Sequence, residues 1–79
     1  MPRPLTPDPQ LGQVMRELRQ RAGRSQESIA RDAGLSVTSY ARIERGEANP
    51  TWTTVTQIAR ALDVSLAELG EAIERSRSC

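Results

Sequence analysis

The apolar positions of the chain fall into five short runs with helical spacing, the first three each closed by a glycine. Leu11, Val14, Met15, Leu18 and Ala22 form one stripe, and Gly23 follows it where a left-handed cap is needed. Ser25 then offers an N-cap hydroxyl, Ile29, Ala30 and Ala33 give a small-residue face, and Gly34 is the next stop. Ser36 caps a third helix expected to run to Arg45 and to close at Gly46, with "EANP" as the following turn. Thr51 caps a fourth, whose inward positions are Trp52, Val55, Ile58, Ala59 and Leu62. Ser65 and Glu68 make a capping box for a fifth, with Leu66, Leu69, Ala72 and Ile73 on one side. Gly70 inside it costs about 1 kcal/mol relative to Ala, so its last turns hold only if something packs on them. No segment alternates as a strand does, and the pattern predicts an all-α fold of five helices.

The third helix has two sides. At about 100° per residue from Val37, positions 37, 41, 45, 38 and 42 share one half of the circumference, and 39, 43, 40 and 44 share the other. Tyr40 and Ile43 belong to the buried side, whereas Val37, Thr38, Ala41, Arg42 and Arg45 project outward. Only "AGLS" separates this helix from the second, a glycine-containing turn too short for anything but a steep crossing. The outward face, small at its leading end and flanked by two long cations, suits a groove edged by phosphates.

Composition narrows the class. Seventy-nine residues make one small domain with a marginal core, which tight helix packing or a second subunit would reinforce. Four prolines within residues 1–9 predict a flexible arm, the folded domain spans 10–75, and 76–79 form a tail. Arg3 is the arm's cation, either reaching a minor groove or simply solvated. The formal charge is only +1, but all eleven basic residues are arginine, the side chain suited to bidentate contact with phosphate and guanine. With no His and a single Cys, Cys79, neither an internal disulfide nor a zinc site is expected. The same inventory offers no nucleophile and base for catalysis and no cofactor motif. No signal core or membrane-length apolar run is present, so a cytoplasmic location is expected.

The segment "SQESIARDAGLSVTSYARIERGEANP" resembles the bacterial and phage repressor family that includes the Cro and lambda-type repressors. The likeness runs from about Leu11 to Leu69 and is carried by "LGQVMRELR", Gln26, Ala30, Gly34, Ile43, Glu44, Gly46, "NP" and "IARAL". It implies a five-helix DNA-binding domain whose second and third helices form the helix-turn-helix. It further implies that Val37, Thr38 and Arg42 read bases, with Arg42 best placed for guanine. Gln26, Ser36 and Arg45 would contact phosphates, and Thr51 and Trp52 would offer backbone donors to another. Arg19 and Glu44 would form an ion pair clamping the recognition helix. Three positions depart from the family pattern. Arg24 replaces an apolar residue and either leaves its turn exposed or reaches a phosphate, Tyr40 replaces a smaller branched residue, and Trp52 stands where Leu is common.

A single recognition helix reads too few base pairs to address a genome, so a symmetric homodimer on an inverted-repeat operator is the expected regulator, in the role of a repressor. Leu66, Leu69 and Ile73 are its candidate dimer surface, unless they only cover Trp52 and Val55. The alternative is an antitoxin or accessory DNA-binding subunit that also holds a partner protein.

Overall fold

A computed structural model describes residues 9–78, the side chain of residue 78 aside. Five helices follow one another: α1 (Pro9–Arg21), α2 (Gln26–Ala33), α3 (Val37–Glu44), α4 (Trp52–Ala61) and α5 (Leu66–Ser78). There is no strand among the described residues. Pro9 opens α1, a first-turn position where its missing N–H costs nothing. The remainder of the expected arm, Arg3 included, and Cys79 lie outside the described residues. Helix α5 continues to Ser78, past the expected boundary at 75, and Arg77 donates to the Gln10 side chain at 2.7 Å across the α1–α5 junction.

The same stop recurs along the chain. At Gly23, Gly34 and Gly46, all at positive φ, paired backbone bonds close the preceding helix in a Schellman arrangement. After α2, for instance, Leu35 N–H returns to Ala30 O at 2.8 Å and Gly34 N–H to Arg31 O at 3.2 Å. Asp63 takes the left-handed place after α4 at φ 59°, a conformation Asp tolerates better than most residues. The starts are equally regular: Ser25, Ser36 and Thr51 accept the N–H three residues on, at 3.1 Å in each case. Ser65 and Glu68 bond reciprocally at 3.0 Å as a capping box.

The core lies where α2 packs on α4 and α1 packs on α3 and α5. Met15, Ile29, Tyr40, Ile43, Ile58 and Leu62 fill it, with Ala30, Ala33 and Ala61 as small neighbours that let helices approach. A second cluster of Val14, Ala59 and Leu69 lies beneath α5. Ala22, expected on the α1 stripe, falls just past the helix end and is exposed. Helices α1 and α3 approach most closely at Gly12. A Cβ there would sit 2.5 Å from the Glu44 carbonyl oxygen and nearer still to that of Ile43. Only glycine fits.

Two expectations need correction. Trp52 is 69% exposed and no part of the core. It is the first residue of α4, and the packing that buries Ile58, Ala59 and Leu62 begins further along the helix. Leu69 is 3% exposed, packed with Val14 and Ala59 inside the subunit, so it does not present a surface to a second copy. Leu66 on the same helix is 40% exposed, and Ile73 is half-buried at the edge of the second cluster.

Candidate nucleic-acid interface

The Schellman turn at Gly34 and the Ser36 cap together set α3 on α2 within three residues, 34–36, and fix which face of α3 leaves the molecule. Tyr40, Ile43 and Glu44 are buried; Val37, Thr38, Ser39 and Arg42 are exposed and Ala41 is half-buried. Val37 is 41% exposed in the first turn, where a methyl-bearing side chain needs no approach path through longer neighbours. Arg42, one turn on, lines a shallow cleft with Ser39, Asn49, Pro50, Thr51 and Thr54, between α3 and the start of α4. The starts of α3 and α4 therefore border the same cleft. Each cap satisfies one first-turn N–H, and the others of an α-helix's first turn have no intrahelical acceptor, which makes such a start receptive to anions. The hydroxyls of Ser36 and Thr51 also donate, to Ser39 Oγ at 2.9 Å and Thr54 Oγ1 at 3.0 Å.

What holds α3 at this angle is Glu44, whose side chain is fully buried. Arg19 of α1 donates to it twice, Nε to Oε2 at 2.7 Å and an Nη to Oε1 at 3.2 Å. Gln26, the first residue of α2, donates to Oε1 at 3.0 Å, and Arg16 of α1 lies 3.6 Å from the same oxygen. Arg19 also donates to the Arg24 carbonyl at 2.9 Å, so one guanidinium joins α1, the α1–α2 turn and the end of α3. Burial alone would push the Glu44 carboxyl up, but the donors from Arg19 and Gln26 outweigh it and hold its pKa below the usual carboxylate range. The Tyr40 hydroxyl is buried close enough to influence this pair but makes no hydrogen bond in proper geometry among the described residues. Desolvation, and secondarily Glu44, push its pKa far up, so it stays a neutral phenol.

The expected phosphate contacts are positioned unequally. Gln26 is half-buried with its amide nitrogen on Glu44, which leaves that nitrogen one further N–H. Arg45 sits on the exposed side but is paired bidentately with Glu47, at 2.8 and 3.3 Å. An exposed pair of this kind holds its partners weakly, so a phosphate competes with it readily. Thr51 is exposed and lines the cleft, and Trp52, the next residue, is exposed at the start of α4. Arg24 is engaged within the domain instead of standing at an exposed turn. It donates to Ser28 Oγ and to the Ala61 carbonyl at 2.9 Å, and pairs with Asp32, bolting the α1–α2 turn to α2 and to the end of α4. Nothing in the hydrophobic pattern marked Gly12 or Arg16 as part of this arrangement. A glycine amid an otherwise good helical stripe is a sequence signal for the former, and both residues lie in the "LGQVMRELR" segment that carries the family resemblance.

Among the described residues no group of three or more His, Cys, Asp or Glu is placed to hold a metal ion, and no helix is long and apolar enough to cross a membrane.

This architecture recurs in known proteins. A helix-turn-helix domain family matches residues 10–78. The cryptic phage CTXphi transcriptional repressor RstR of Vibrio cholerae is 39% identical over 51 residues, which are 65% of this chain. The match spans only 46% of that repressor's length. The HTH-type transcriptional regulator y4dJ of Sinorhizobium fredii is 37% identical over 59 residues, 75% of this chain and 77% of the relative. Among solved structures, the restriction-modification controller protein C.AhdI of Aeromonas hydrophila superposes with a TM-score of 0.75 at 38% identity, over 77% of this chain and 92% of that one. The controller protein C.Esp1396I, as a tetramer in complex with its natural 35 base-pair operator, superposes with a TM-score of 0.81 at 27% identity, over 85% and 88%. Helix order, the α2–α3 geometry and these likenesses agree: the chain belongs to the Cro and lambda-repressor-like helix-turn-helix family.

Proposed function

We propose that the chain is a sequence-specific, duplex-DNA-binding transcriptional regulator that acts as a symmetric homodimer on an inverted-repeat operator, in the role of a repressor. The observation that carries this reading is the division of α3 into a face locked to the domain through Glu44 and a face, Val37, Thr38 and Arg42, left exposed beside two helix starts. The names of the relatives, a phage repressor and controller proteins of which one is bound to its operator, support it. In this reading Val37, Thr38 and Arg42 contact base edges. Gln26, Ser36, Arg45 and the first turn of α4 at Thr51 and Trp52 hold phosphates on either side. Leu66, exposed, and Ile73, half-buried, supply the apolar part of the dimer surface on α5. The function is binding rather than catalysis, exercised in the compartment that holds the DNA, the cytoplasm of a bacterial cell.

Selection of bound sequences from a random duplex pool tests this. The expected product is an inverted repeat with half-sites about one helical turn apart. A pool that stays random after repeated rounds would remove the proposal.

A further inference from the structure

Glu44 carries one negative charge and has two arginines against it. Arg19 neutralises it, with both donating edges committed and its side chain only 13% exposed. Arg16 is different. Its Nε lies 3.6 Å from Oε1, too long for a strong bond, and its side chain is 47% exposed. The charge at the cluster is therefore unbalanced toward positive, and the excess sits at the surface on Arg16. The same oxygen, Oε1, receives Gln26 at 3.0 Å. One carboxylate oxygen thus has, within 3.6 Å, both the Nε of an exposed guanidinium from α1 and the amide nitrogen of the first residue of α2. The 3.6 Å contact is an ion pair rather than a hydrogen bond, so Glu44 keeps the half-exposed Arg16 guanidinium nearby without consuming its donors.

We infer that Arg16 is a further backbone-phosphate contact of the DNA interface, held beside Gln26 by their shared partner Glu44. This rests on the reading of the chain as a duplex-DNA binder. Arg16 contributes charge and register and reads no sequence. It also explains why α1 brings two arginines to one acid: one secures the recognition helix, and the other faces the ligand.

The test is a salt titration of binding, measured by fluorescence anisotropy on the selected operator and on a shuffled duplex, with wild type, Arg16→Gln and Arg16→Lys. Arg16→Gln is expected to lower the slope of log affinity against log salt by about 0.9, so that its deficit is about threefold larger at roughly 50 mM than at roughly 200 mM salt. The loss should be equal on both duplexes, Arg16→Lys should restore most of the slope, and the melting temperature of Arg16→Gln should stay at the wild-type value. An unchanged slope, or a loss of affinity that tracks a lowered melting temperature, overturns the inference and leaves Arg16 a structural partner of Glu44. Wild type that binds neither duplex would instead overturn the functional reading itself.

Discussion

Arg19 in α1 and Glu44 at the end of α3 are joined by two N–H···O bonds of 2.7 and 3.2 Å around a carboxylate that solvent does not reach. Removing one member strands the other. Glu44→Ala leaves the largely buried Arg19 with only the Arg24 carbonyl, and a broken buried pair costs on the order of 3 kcal/mol or more. For a domain of this size that is a fall in melting temperature of roughly 12 °C or more, measurable by circular dichroism. Arg19→Ala should cost less, since Arg16 and Gln26 still face the acid. Equal melting points for wild type and Glu44→Ala would show that the pair does not fasten α3.

The same carboxylate confers a pH dependence. Its folded pKa lies below the ordinary value of about 4.5, because the Arg19 and Gln26 donors outweigh burial. The unfolded chain therefore binds the proton first on acidification. Glu44's contribution is complete above pH 4.5 and is lost as the pH falls through that value and then through the lower folded pKa. Melting temperatures of wild type and Glu44→Gln from neutral pH to pH 3 or so should converge on the acid side. Parallel curves would assign the acid sensitivity to other groups.

Trp52 is the chain's sole tryptophan and stands 69% exposed at the start of α4, next in sequence to Thr51 of the α3–α4 cleft. Its emission should be that of a hydrated indole in the free protein and should change on addition of operator duplex. Trp52→Ala should shift stability by no more than about 0.5 kcal/mol while weakening binding. A blue-shifted emission from the free protein, unaffected by duplex, would contradict this placement.

Leu66 is the large apolar side chain most exposed on α5. A charge at its position leaves the subunit's own core intact but opposes burial between copies. Leu66→Glu should sediment as a monomer at concentrations where wild type is a dimer, and bind a full operator at least about tenfold more weakly, through the lost cost-sharing of two half-sites. A dimeric Leu66→Glu would move the interface elsewhere.

Much of this is legible in the sequence alone. Periodicity, N-cap hydroxyls and glycine stops locate all five helices, because each signal is a local backbone requirement, and the two-sidedness of α3 follows from the positions of Tyr40 and Ile43 alone. What the pattern hid depends on contacts between distant segments. Leu69 and Leu66 look alike on a helical wheel, and only the seating of α5 on Val14 and Ala59 separates core from surface. Trp52 reads as apolar and inward, but its place at the start of α4 puts it beyond the reach of the core. Arg24 reads as a surface cation until the end of α4 supplies the Ala61 carbonyl. Gly12 is ordinary in sequence and is required by the backbone of α3 lying against it.

The central claim is that the exposed face of α3 selects sequence, and Arg42 tests it most directly. Site selection run in parallel on wild type and Arg42→Ala, followed by affinity measurements on the enriched duplex, separates reading from adhesion. The account predicts that Arg42→Ala costs about 1 to 3 kcal/mol on the wild-type operator and relaxes one position in each half-site, leaving the rest of the inverted repeat unchanged. Uniform weakening on all duplexes with an unaltered consensus would contradict it and place Arg42 on a phosphate.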